Sequence, residues 1–120
     1  MNTKIDIQVP FPPSVNTVWR KMNGRMVVSA KAREFYHATN AILVGFPKLG
    51  KARVAIEISL SSPTKRKYDI DNRAKCVLDC LVKSQTIDDD EQVDVLTIRR
   101  LDPCGDVCFV SVSVLEERDG

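Results

Sequence analysis

One histidine, His37, is all the imidazole this chain has, and one tryptophan, Trp19, belongs to a sparse aromatic set of 6%. Without a second histidine no Cys2His2 zinc site can form. The cysteines do not make up for it. Cys76 and Cys80, like Cys104 and Cys108, are spaced Cys-x3-Cys, whereas zinc ribbons and knuckles favour a two-residue spacer. Cys76 and Cys80 also sit beside Val77, Leu78 and Leu81, where small thiols pack as core residues. The four are expected to be reduced and structural.

No apolar run reaches the length that spans a bilayer, and the opening MNTKIDIQV lacks the charged-then-apolar order of a secretory leader. A cytoplasmic location with no membrane partner is therefore expected. Repeats, low-complexity tracts and linker-like stretches are missing too, so residues 1–120 are expected to form one domain. Hydrophobic and charged contents of 43% and 28% suit an ordinary globular core.

What the chain does have is segregated charge. Residues 1–68 carry 12 Lys and Arg against 3 Asp and Glu, a balance of +9, while residues 69–120 carry 6 against 13, a balance of −7. A basic half can grip a polyanion and an acidic half can hold a metal. The cations that would do the gripping are Arg20, Lys21, Arg25, Lys31, Arg33, Lys65, Arg66 and Lys67. Trp19, Phe11 and Tyr36 are expected to serve the core rather than stack on bases, and His37 to lie on a helix surface.

The apolar pattern predicts the order β-β-α-β-α-β-β. Ile5, Ile7 and Val9 alternate as a half-buried strand over 3–9, closed by Pro10-Phe11-Pro12-Pro13. Asn23-Gly24 marks a hairpin turn before a short strand at 25–28. Ser29 is placed to cap a helix over 30–44, with Phe35, Thr39, Ile42 and Phe46 on its apolar stripe. A strand at 52–60 and a helix at 71–84, with Ala74, Val77, Leu78 and Leu81 inward, lead to strands at 92–101 and 106–115. The last strand is apolar on both faces, so it is expected to be central or covered. The result is an α+β domain: a mixed β-sheet with two main helices.

Between the basic run Lys65-Arg66-Lys67 and the second helix stand Asp69 and Asp71, with Lys75 one helical turn further on. Clustered carboxylates suit a hard divalent cation. If the segment is extended, Asp69 and Asp71 face one side; Asp71 can also cap the helix and pair with Lys75. The second acidic cluster, Asp88-Asp89-Asp90-Glu91, follows the helix, whose return loop can bring it back towards Asp69. An EF-hand is excluded, since its central glycine and terminal glutamate are missing.

These residues carry a resemblance. Asp69-Ile70-Asp71-Asn72-Arg73-Ala74-Lys75, then Asp89-Asp90-Glu91-Gln92-Val93, resembles the RusA-type Holliday junction resolvases, whose pattern runs Asp-x-Asp-Asn-x-x-Lys and later Asp-Asp-x-Gln. Pro12-Pro13-Ser14-Val15-Asn16 and the basic segment near Arg20 extend the match over essentially the whole chain. The resemblance implies a RusA-like fold and Mg²⁺ held by Asp69, Asp71 and Asp90, with Lys75 as the catalytic lysine. It also implies a homodimer that makes paired symmetric nicks in four-way junction DNA, during recombination and repair. Three consecutive aspartates stand where two are needed; Gln92-Val93 sets the register on Asp90, with Asp89 as the alternative. Ser84-Gln85-Thr86 lacks the glycine and aromatic residues often present there. Two other readings stay open: a metal-free nucleic-acid-binding accessory module, and a metal nuclease with looser branched-DNA specificity.

Overall fold

The structure, a computed structural model, describes residues 3–115. Strand β1 (Lys4–Pro10) is followed by a single 3-10 turn (Val15–Thr17) and the hairpin β2 (Trp19–Met22) and β3 (Arg25–Val28). Helix α1 (Ala30–Leu43), strand β4 (Val54–Ser61), helix α2 (Ile70–Lys83), a 3-10 turn (Asp90–Gln92), β5 (Val93–Arg100) and β6 (Val107–Val114) complete it. Two sheets result: a four-stranded one in the order β1-β6-β4-β5, and the separate β2-β3 ribbon. The four-stranded sheet is mixed, because β4 and β5 run parallel while its other pairs are antiparallel.

The α+β domain with two main helices is the one the sequence pattern predicts, and β6 is indeed central, hydrogen-bonded to β1 on one side and β4 on the other. The predicted hairpin forms around Asn23 and Gly24, both at positive φ, which fits a two-residue turn twisted like its strands. Its first strand, β2, was implied only by that turn, since Trp19–Met22 has no apolar alternation of its own.

One face of the sheet is covered. Ile5, Ile7 and Val9 of β1, Val54, Ile56, Ile58 and Leu60 of β4, and Cys108, Val110 and Val112 of β6 meet Phe35 and Leu43 of α1 and Val77 and Leu81 of α2 in one core. Ser29 caps α1, its hydroxyl accepting from the Ala32 N–H at 3.3 Å. The loop between β5 and β6 closes on the end of β4. Gly105 donates to Ser61 Oγ at 2.9 Å, and a side chain at Gly105 would stand 2.3 Å from that oxygen. Trp19 departs from the core expectation: at 56% exposure it lies on the ribbon, which stands off the main sheet. Phe11 and Tyr36 are half-buried and pack against the core.

Candidate metal and nucleic-acid site

Helix α2 starts at Ile70, with Asp69 as its cap residue in extended geometry (φ −92°, ψ 127°). The Asp69 carboxylate makes no capping hydrogen bond and is exposed. Asp71 lies in the first helical turn, where its Oδ1 accepts the Asn72 N–H at 3.0 Å. This corrects two expectations. Asp71 is not the cap, and the Asp69–Asp71 spacing is not that of an extended segment. Asp69 keeps extended geometry while Asp71 sits in the first helical turn, so their relative direction is set by the start of the helix and not by strand alternation.

Lys75 does not pair with Asp71 either. Its Nζ lies 3.3 Å from Asp79 Oδ1 and 3.5 Å from Asp90 Oδ2. The hydrogen bond and charge of Asp79, with Asp90 adding to them, raise the Lys75 pKa above its usual value. This ammonium therefore stays charged at neutral pH and is unsuited to act as a general base. Asp79 is a site residue the motif did not single out. Its signal was there, as the carboxylate four residues after Lys75 on the same helix face.

The acidic turn is held by Gln92, which is 4% exposed. Its Oε1 accepts the N–H groups of Asp88 and Asp89 at 2.8 and 2.9 Å, and its Nε2 donates to the carbonyls of Gly50 and Ala52 at 2.8 and 2.6 Å. Every hydrogen-bonding position of that amide is directed inward. Asp89 spends its carboxylate on the Glu91 N–H at 3.0 Å, which lowers its pKa. Asp90 is the member of the run that reaches α2, through Lys75. Arg53 ties Glu91 and Asp94 together beside it, and its hydrogen bond lowers the Asp94 pKa.

Among the described residues, no group of three or more His, Cys, Asp and Glu side chains is gathered closely enough to hold a metal ion. The structure thus brings Lys75 and Asp90 together but does not collect Asp69, Asp71 and Asp90 around one point. The donor chemistry fits a hard divalent cation all the same. The candidates are carboxylate oxygens, Asp69 is uncommitted by capping, and Asp71 is engaged by a neighbouring amide alone.

Part of the predicted cation set lies beside this acidic end. Lys65, Arg66 and Lys67 are exposed on the loop from β4 to α2. A cleft of about 820 Å³ on one side of that loop is lined by Arg66, Lys67, Phe11 and, across the gap, Lys31 of α1. A second cleft, about 680 Å³, is lined by Lys65, Arg66, Arg100 and Asp69. Arg33 is exposed on α1, and Arg20, Lys21 and Arg25 are exposed on the ribbon, beside Met22 and Met26. His37 is exposed on α1, as expected.

A small α+β domain whose exposed carboxylates crown a helix between cation-lined clefts has the make-up of a DNA-cutting enzyme, and family comparison identifies the class: residues 10–107 match the family described as Endodeoxyribonuclease RusA. The chain belongs to that family. It is 31% identical over 94 residues to the crossover junction endodeoxyribonuclease rusA of Enterobacteria phage HK97, covering 77% of this chain and 78% of the relative. It is 36% identical over 95 residues to the proteins of the same name from Escherichia coli (strain K12) and Enterobacteria phage 82, covering 78% of each chain. Among the described residues no helix is long and apolar enough to cross a membrane.

Proposed function

We propose that this chain is a crossover junction endodeoxyribonuclease that resolves Holliday junctions in the cytoplasm, in recombination and repair, using Mg²⁺. The observation that carries the reading is the meeting of Lys75 with Asp90 across 15 residues of sequence, which joins the two halves of the acidic motif at the foot of the basic loop. The names of its relatives supply the substrate.

Asp69, Asp71 and Asp90 would hold the metal. A bound divalent cation would supply an activated water and a counter-charge for the phosphate. Water adds to phosphorus, the bond to the 3′ oxygen breaks, and that oxygen takes a proton, leaving a 5′-phosphate and a ligatable 3′-hydroxyl. Lys75, charged at neutral pH, balances negative charge beside the reacting phosphate. The loop cations Lys65, Arg66 and Lys67, with Lys31, Arg33 and the ribbon's Arg20, Lys21 and Arg25, hold the flanking backbone. A homodimer would present two identical sites, as paired nicks across a two-fold junction require.

Cleavage of a synthetic mobile four-way junction, with Mg²⁺ or chelator, tests the proposal. We expect Asp71→Asn to cut at a rate lower by several orders of magnitude while binding the junction as the parent does. An Asp71→Asn protein that cleaves at the parental rate overturns the assignment. Activity without added metal points to other chemistry, and equal cutting of linear duplex marks a nuclease of looser specificity. Binding without cutting under all conditions identifies an accessory module.

A further inference from the structure

Asp69 makes no side-chain bond at the cap of α2, so the place from which its carboxylate reaches out is set by the backbone of the residue before it. That residue is Tyr68, and two arginines from the acidic half close on it. The Arg100 guanidinium lies 4.7 Å from the Tyr68 ring centroid, and its Nη2 donates to the Tyr68 carbonyl at 2.7 Å. The Arg73 guanidinium lies 5.9 Å from the same ring and 5.2 Å from that of Phe11. Arg73 Nη1 donates to the Pro12 carbonyl at 3.0 Å. Phe11 meets Tyr68 edge-on, with centroids 5.3 Å apart and planes at 89°.

Three segments distant in sequence are thereby joined: the proline strap after β1, the end of the basic loop, and the end of the edge strand β5. Among the described residues neither arginine pairs with a carboxylate; each puts a planar face on an aromatic ring and an N–H on a backbone carbonyl. That use needs the guanidinium plane as well as its charge, so lysine is no substitute.

We propose that Arg100 and Arg73 are positioning residues. By clamping Tyr68 between β5 and the proline strap, they fix the Asp69 carboxylate for metal binding and hold the end of the Lys65–Lys67 loop beside it. The inference rests on Asp69 being a metal ligand, as proposed above. Neither arginine touches the reacting phosphate; both act through Tyr68, as outer groups orient a ligand in metal sites generally.

Arg100→Ala and Arg100→Lys test this, with Asp69→Asn as the reference and Mn²⁺ as the probe, free Mn²⁺ being read by electron paramagnetic resonance. Junction binding in chelator, single-turnover cleavage and thermal melting are measured alongside. Arg100→Ala is expected to weaken Mn²⁺ binding and slow cleavage by about 10–100-fold, towards the reference, while junction affinity in chelator stays within about twofold. Arg100→Lys is expected to recover the melting temperature but not the Mn²⁺ affinity. Arg73→Gln, which keeps a donor for Pro12 and loses the cation, is expected to behave as Arg100→Ala does and serves if that variant does not fold.

Unchanged Mn²⁺ affinity with weaker junction binding would make Arg100 a phosphate contact and overturn the proposal. Full recovery of every property by Arg100→Lys would reduce the clamp to packing, with the same result. A parent protein that binds Mn²⁺ yet leaves junctions intact defeats the junction-cutting reading alone, because metal affinity still reports on the clamp. A parent that binds no Mn²⁺ defeats both.

Discussion

Cys76, Cys80 and Cys108 are buried, whereas Cys104 is exposed in the turn before β6. Burial pushes the Cys76 thiol up to about 11 and those of Cys80 and Cys108 up to about 12. In the unfolded chain these thiols ionise near their ordinary value of about 8.5. The folded state therefore keeps protons that the unfolded state loses between about pH 9 and 12. Their contribution is complete below that window and is lost as pH rises through it. The urea midpoint is expected to fall between pH 8 and pH 10.5, and a Cys80→Ala protein to show a shallower fall. At neutral pH a thiol reagent should modify Cys104 quickly and the other three only on unfolding. A flat midpoint, or four thiols reacting at one rate, would contradict these expectations. The sequence made the buried pair on α2 readable, because Cys76 and Cys80 keep helical spacing with Val77 and Leu81. It did not reveal that Lys75 turns to Asp79 and Asp90 instead of Asp71, since helix spacing alone allows either direction.

The second acidic turn depends on one side chain. Gln92 satisfies two amides and two carbonyls at once, so Gln92→Ala leaves several backbone groups without partners in a half-buried place. We expect a loss of about 2–4 kcal/mol in urea unfolding, and a larger proportional loss of cleavage than of junction binding, because Asp90 loses its anchored backbone. A protein with parental stability would show that solvent replaces the amide fully. The elements were largely legible beforehand. Alternation gave β1 and β4, an apolar run gave β6, Ser29 and Asn23-Gly24 gave a cap and a turn, and the helices start and stop within about two residues of their predicted bounds. Two things were not legible. The start of α2 at Ile70 decides which way Asp71 points, and boundaries are the part of a helix that periodicity defines least. The Arg100–Tyr68–Arg73 clamp joins three segments through tertiary contact, and no local pattern encodes such a meeting.

Across the whole molecule, the +9 and −7 halves of the chain fold so that the basic loop, the first turn of α1 and the ribbon carry exposed cations while the start of α2 carries exposed carboxylates. Association driven by that surface should weaken steeply with salt, as bound counterions are released from DNA. With six or more phosphate contacts, affinity for a four-way junction is expected to drop about 10³-fold or more between 50 and 200 mM salt. Removing Arg66 and Lys67 together should reduce the slope of that dependence by roughly two. A slope near zero would mean that the cations are solvated surface only.

The final strand, β6, lies between the first and the fourth, with Lys4 opposite Ser113 and Ser61 opposite Val107. A chain emerging from the ribosome thus leaves the gap between β1 and β4 unfilled until β6 has been made. Contacts so remote in sequence make folding slow, and no nascent fragment owns a finished sheet on which α2 can seat its carboxylates. A fragment that stops before β6 is expected to leave β1 without its partner strand and to cut no DNA.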